Sequence, residues 1–251
     1  ANHEYKLALT QEWYTLFNPG NQSESIFEFQ FDTERNQSNG LYGMMLENNN
    51  NTFASISAIE LLGNEYATEI IRGEGSSIRP YGNDTRFLIW KYIGSSSGST
   101  SPVRASSEEG SANFIIYRLA EIKLMKAEAL TFSNQLEKAV DEINLVRERA
   151  QVPPRNKVGL SQVVLEDYIL EERAKELSFE GKRWFDLMRM GRRSDFQRKD
   201  KLIDIILKNV PSTQKRILEV KLSNPLGWYL PIHEDELERN KELDQNPYYD
   251  N

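Results

Sequence analysis

YRLAEIKLMKAEAL (Tyr117–Leu130) and ILEERAKELSFEGKRWFDLMRMGR (Ile169–Arg192) both read as helices, and they decide the fold. In the first, Leu119, Ile122, Leu124, Met125, Ala127, Ala129 and Leu130 return at three- and four-residue spacing, the period that gathers side chains on one helix face. That face is expected to be buried. In the second, Leu170, Ala174, Leu177, Trp184, Phe185 and Met188 form a similar stripe among a dense set of Glu, Arg and Lys. Between them Leu136, Ala139, Val140, Ile143, Val146 and Ala150 repeat the pattern, so this block reads as helices packed side by side through short connections.

The order of these motifs is informative. An L-A-E-x-x-L-M-x-A-E-A helix is followed by a short amphipathic helix ending N-x-V-R-x-R-A, then by E-E-R-x-x-E-L-x-F-E-G-x-R-W-F-D-L-x-R-x-G. That order resembles the SusD/RagB family of outer-membrane nutrient-binding lipoproteins of Bacteroidetes. Leu230-Pro231-Ile232, Glu236-Leu237, Asn240 and Gln245-Asn246-Pro247-Tyr248 resemble the family's closing loop and tail, with His233 where proline is common. The match is detailed from Tyr117 to Tyr249 and looser before it. The resemblance implies a mainly α fold: a SusD-like helical domain with tetratricopeptide-like helices, a few short strands and long surface loops. The chain 1–251 is then one SusD/RagB-like domain, with helix, strand and loops over 1–110 and the helical scaffold and tail over 111–251.

Composition is compatible with that expectation. A chain of 251 residues is long enough to bury a substantial core. No apolar run reaches the roughly 18 residues that a membrane span needs. A net charge of −7 argues against a nucleic-acid surface, where affinity comes largely from Lys and Arg neutralising phosphates. With no cysteine there is no disulfide, thiolate metal site or cysteine nucleophile, and no lipid-bearing cysteine of the kind a surface lipoprotein carries. The opening therefore reads as the middle of a longer protein. Family members are about twice this length, so residues beyond this chain are expected to complete a ligand site.

Along the chain, Tyr5–Phe17 reads as an amphipathic helix stopped by Asn18-Pro19-Gly20. SIFEFQF (Ser25–Phe31) alternates like a strand and is rich in aromatics, and Phe87–Ile93 is strand-like again. The span 32–89 lacks a long period and is rich in Asn, Ser and Gly, as functional loops often are. GSSSGSTS (Gly94–Ser101) is a flexible low-complexity segment. Ser194–Lys208 reads as a further helix, ended by Asn209-Val210-Pro211.

Catalytic motifs fail on inspection. Glu172, Glu176 and Glu180 are spaced to share a helix face, but a di-iron bundle would pair such glutamates with Glu-x-x-His, and only His3 and His233 are present. The interleaved Arg173, Lys175, Lys182, Arg183 and Arg189 suggest instead an ion-pair network reaching Glu121 and Glu128. HEDE (His233–Glu236) lacks the second His of a zinc protease, RGEGSS (Arg72–Ser77) lacks the Lys-Ser/Thr of a phosphate loop, and no Gly-x-Ser-x-Gly elbow occurs. No metal, no cofactor and no catalytic residue are expected.

Binding remains. Sugars present apolar C–H faces ringed by hydroxyls, so their sites combine exposed aromatic rings with Asn, Asp, Gln or Arg. The loops offer both, with Tyr42, Tyr66, Arg79, Tyr81, Asn83 and Asp84 as candidate ligand contacts. Trp90 lies in a strand-like run and reads as core, as do Trp184 and Phe185. The resemblance implies a non-enzymatic glycan binder, or a peptide binder in RagB-like members. It would face outward at the outer membrane, held only by a lipid anchor absent from this chain, and partner a SusC-like TonB-dependent transporter. The family's ligand contacts lie in variable loops outside the matching motifs, so none transfers residue by residue. A tetratricopeptide-type protein- or peptide-binding adaptor and a carbohydrate-active hydrolase remain the alternatives.

Overall fold

The computed structural model describes residues 4–41, 53–55, 69, 71–73, 77–80, 86–92, 94, 95, 103, 104, 110–208 and 210–250. It is mostly helical with a few short strands, as expected, and divides into two compact units, Ala1–Arg183 and Trp184–Asn251.

In the first unit, helix α1 is Trp13–Phe17, preceded by a 3-10 turn at Thr10–Glu12. The helix expected over 5–17 is thus confined to its second half. The Glu12 carboxylate accepts from the Leu9 backbone N–H at 2.9 Å and fixes the helical start there, while Tyr5 and Leu9 stay exposed. Strand β1 (Ser25–Phe29) pairs antiparallel with a later strand, Phe114–Arg118. Between them in sequence lie β2 (Phe53–Ser55), β3 (Ile78–Pro80) and β4 (Arg86–Ile89), a sheet of order β2-β4-β3, and the short antiparallel pair β5 (Gly94–Ser95) and β6 (Val103–Arg104). The strand Phe114–Arg118 is β7.

Helix α2 (Leu119–Phe132) therefore starts two residues later than its periodicity suggests, because Arg118 is still extended and the Leu119 N–H donates to Glu24 O at 2.9 Å. Its buried residues are Ala120, Leu124, Ala127 and Thr131, with Glu121, whereas Ile122 and Met125 are exposed. The close-packed face is the one with small side chains. Asn134 takes a left-handed conformation in the turn to α3 (Leu136–Arg149), whose Ala139, Val140, Ile143 and Val146 are buried as the pattern predicts. Helix α4 (Gln162–Glu176) is capped by Ser161 Oγ, which accepts from Val164 N–H, and supplies Leu165 and Ile169 to the same core. A second core gathers Trp13, Leu16, Phe17, Ile78, Trp90 and Tyr92, so Trp90 is interior as anticipated.

Ile169–Arg192 is not one helix. The α4 helix stops at Glu176, and left-handed backbone at Phe179 and Gly181 turns the chain before α5 (Arg183–Phe196) begins. The glycine is the residue that makes this turn cheap.

In the second unit, α5 loses helical geometry at Arg193, and Ser194, Asp195 and Phe196 have positive φ, so the helix expected from Ser194 starts only at Lys199. Helix α6 is Lys199–Leu207, α7 is Ser212–Ser223, and α8 is Glu234–Arg239, capped by His233. The core consists of Leu187, Met190, Leu202, Leu222 and Trp228, whose indole N–H donates to Leu222 O at 2.7 Å. Gly191 is required by this packing: a Cβ there would lie 2.9 Å from a Leu202 methyl and 3.0 Å from the Trp228 ring. The assignment of Trp184 and Phe185 to the core is corrected. With Leu187 and Met190 turned inward, Phe185 is 64% exposed and Trp184 half-buried.

Candidate functional site

Glu172, Glu176 and Glu180, the one carboxylate set with a spacing that suggests chemistry, are buried in the first unit and fully engaged. Arg118, at the end of β7, donates to Glu180 Oε1 and Oε2, Glu176 Oε1 and Glu24 Oε1 over 2.6–3.0 Å. Arg72 donates to Glu69 at 2.7 Å and to Glu172 at 2.6 Å; Arg147 takes the other Glu172 oxygen at 2.6 Å, and Arg149 pairs with Glu176. Lys91 Nζ donates to Glu180 Oε1 and to the carbonyls of Glu176 and Ser178, and lies 4.7 Å from the Phe17 ring. Arg173 and Lys182 reach Glu121, the link expected from sequence.

The electrostatics follow from this packing. Burial alone would raise the Glu176 and Glu180 carboxyl pKa values, but Arg149 and Arg118 beside Glu176, and Arg118 and Lys91 beside Glu180, hold both below the usual carboxylate value. For Lys91, burial outweighs Glu180 and pulls the ammonium down to about 8. The cluster is closed to solvent and its carboxylates are committed to cations. It ties strand β7, helix α3 and the turn after α4 together, and it offers no surface to a substrate.

A different arrangement lies on the β1/β7 ribbon of the same unit. Phe27 pairs with Tyr117 and Phe29 with Phe114, with register slips on both sides of Phe27. Phe27 and Phe29 are 50% and 54% exposed, their rings 5.6 Å apart and edge-to-face. Tyr117 is also exposed, with Lys182 Nζ 4.7 Å from its ring. Such an aromatic face on the surface is unusual enough to require a reason.

Beside these rings is a set of fixed polar groups. Asn21 and Gln30 form a reciprocal amide pair, Asn21 Nδ2 donating to Gln30 Oε1 at 2.9 Å and Gln30 Nε2 to Asn21 Oδ1 at 2.8 Å. Buried Asn113 braces them, donating to Gln30 Oε1 at 3.1 Å and Glu28 Oε1 at 3.2 Å while accepting from Phe31 N–H. Asp32 accepts from Glu34 N–H and meets Arg35, which holds the adjoining turn. Asn21 and Gln30 stand between two hollows and line both. One, of about 580 Å³, is walled by Asp32, Thr33, Glu34, Arg35, Gln37 and Ser111; the other, of about 360 Å³, by Tyr5, Ile26, Phe27 and Glu28. Amides, carboxylates and one guanidinium thus converge beside exposed rings, in an arrangement that can fork hydrogen bonds to neighbouring hydroxyls.

Of the residues singled out in the loops, Tyr42, Tyr66, Tyr81, Asn83 and Asp84 lie outside the described residues, and Arg79 occupies the middle of β3, opposite Leu88 of β4. The ribbon site was missed in the sequence. SIFEFQF gave the strand and its aromatics, but an alternating aromatic run normally signals an inward face, and nothing local reveals that among the described residues this strand pairs with β7 alone. Among the described residues no cluster of three or more His, Asp or Glu could hold a metal ion, and no helix is long and apolar enough to cross a membrane.

Comparison with known proteins gives a consistent result. The chain is 39% identical over 94 residues, 35% of its length, to SusD-like protein P38 of Formosa agariphila, and 41% identical over 92 residues to SusD-like protein P2 of the same organism. Those alignments cover 19% and 18% of the two relatives. Among solved structures, a SusD superfamily protein from Bacteroides vulgatus superposes with a TM-score of 0.70 at 20% identity over 99% of this chain, and a SusD homologue from Bacteroides thetaiotaomicron with 0.65 at 22% over 98%. The chain spans about half the length of those structures, 56% and 51% respectively, and at such identity they speak to the fold alone. The SusD family model matches residues 6–249, nearly end to end, and this chain belongs to the SusD family.

Proposed function

We propose that this protein captures a glycan at the cell surface and passes it to a SusC-like TonB-dependent transporter of the outer membrane. The observation that carries the reading is the ribbon site: the braced Asn21–Gln30 amide pair standing between two hollows, with Phe27 and Phe29 exposed beside it. Sugar hydroxyls need donors and acceptors that are already in place, because orienting a free amide on binding costs rotamer entropy. The rings supply an apolar face for the sugar C–H bonds. Family membership supports the same reading.

The protein acts here as a binder and not as a catalyst. Glu28 accepts from Asn21 N–H and Asn113, and Asp32 is tied into its turn, so both carboxylates serve to position neighbours. Tyr42, Tyr66, Arg79, Tyr81, Asn83 and Asp84 are proposed as further contacts to the same ligand. A lipid anchor would hold the protein at the membrane.

The test is native affinity electrophoresis through gels carrying different polysaccharides, with an empty gel as reference. Retardation in one or a few gels, reduced in Gln30→Ala and Phe27→Ala, is the expected result. Free migration in every gel, or retardation that both variants retain in full, would defeat the assignment.

A further inference from the structure

The second unit contains a groove that the ribbon reading leaves unused. It has a volume of about 860 Å³, and its walls include Trp184, Phe185, Arg189, Arg192, Arg193 and Tyr229. No Asp or Glu among the described residues lines it, in a chain whose net charge is −7. The described lining thus carries three guanidinium groups and no carboxylate, while the acids of α8 (Glu234, Asp235, Glu236, Glu238) lie outside it. Asp186 pairs with Arg189 at 3.0 Å. Arg192 differs: its guanidinium lies 5.6 Å from the Tyr229 ring centre, and no carboxylate among the described residues pairs with it. An exposed arginine held on a ring keeps its fork of N–H donors directed at solvent.

We propose that this groove is a subsite for an acidic glycan, one whose sugars carry sulfate or carboxylate groups. Arg192 would donate two parallel hydrogen bonds to the anionic group, the geometry that a planar guanidinium offers to sulfate and carboxylate oxygens alike. Trp184, Phe185 and Tyr229 supply ring surface for the sugar itself. The inference rests on the glycan-binding reading above and narrows it to a class of substrate.

The experiment compares retardation of the full chain by a sulfated polysaccharide and its desulfated form, and by a polyuronate and its carboxyl-reduced form. The variants are Arg192→Gln, Tyr229→Ala, Gln30→Ala in the ribbon site and Arg216→Gln, a cation on α7 outside the groove. Expected is at least fivefold stronger retardation by one acidic polymer than by its neutralised form; which pair responds names the anionic group. Arg192→Gln and Tyr229→Ala should remove most of that preference, whereas Gln30→Ala should weaken binding of both forms and keep the ratio. Equal retardation by acidic and neutral forms overturns this inference and leaves the glycan reading standing. An acid preference that survives Arg192→Gln, or that Arg216→Gln lowers as much, overturns it in favour of diffuse charge, and equal binding of polyglutamate assigns the groove to a polypeptide. Free migration with every polymer defeats both readings.

Discussion

The ionic cluster around Arg118 and the ribbon site around Gln30 lie in one unit and share a vocabulary of glutamates, guanidinium groups and aromatic rings, yet they do opposite things. In the cluster, Trp13 and Phe17 pack against cations with almost no exposure, and Glu176 and Glu180 are bonded to several donors each. In the ribbon, Phe27 and Phe29 are half in solvent and the polar groups bond to one another at the edge of two hollows. The composition of the two is alike; burial separates scaffold from site. A dry cluster has no capacity left for a ligand, and its value is that breaking it is costly. A wet cluster adds little to stability, and it can exchange water for hydroxyls.

The largest effect should come from the dry side. Arg118→Ala removes the shared partner of Glu24, Glu176 and Glu180 and leaves carboxylates buried without it, a class of loss on the order of 3–5 kcal/mol. Urea unfolding would measure it, and a loss below about 1 kcal/mol would show that the cluster is not what holds β7 to the turn after α4. A core methylene test ranks next: Leu124→Ala, fully buried on α2, should cost roughly 2–5 kcal/mol by leaving a cavity between α2 and its neighbours.

Acid should separate the regions without mutation. Glu176 and Glu180 have folded pKa values below their ordinary 4.5, so the unfolded chain binds protons more readily at low pH. Their contribution is complete above about pH 4.5 and is lost as pH falls through the lower folded values. Thermal melts from pH 7 to 3 should therefore drop steeply below pH 4.5, less so in Glu176→Gln, whose already lowered starting stability no longer includes that titration. Identical slopes in both proteins would place the acid sensitivity elsewhere.

How much of this was readable beforehand depends on range. The pair α2 and α3 was legible because their periodicity is local, and the glutamate network was legible as far as Glu121 because its members sit on neighbouring helices. Arg118, Arg72 and Lys91 were not foreseen as its centre. They come from strand ends and loops some 58 to 104 residues from Glu176 and Glu172, and no spacing rule connects such positions. The break between α4 and α5 was marked by Glu180-Gly181, but a continuous apolar stripe concealed it, and Phe185 was misplaced as a consequence. For the ribbon, the strand could be read from its alternation, but which face met solvent depended on the number of strands beside it.

The smallest stability change carries the most functional weight. Phe27→Ala removes a ring that is half exposed and packs edge-on against Phe29, so folding should lose less than about 1 kcal/mol, as for surface positions outside the core. If the ring is a platform for sugar, the same change should weaken glycan retardation about tenfold, near the upper end of what one aromatic stacking contact contributes beyond its buried area. The two numbers together separate the possible roles of Phe27. A large stability loss with proportionate loss of binding would make Phe27 a packing residue that happens to be visible, and the ribbon would then belong with the Arg118 cluster. Lost binding at unchanged stability sets it apart, because only a group whose partner comes from outside the chain can be removed so cheaply from the fold.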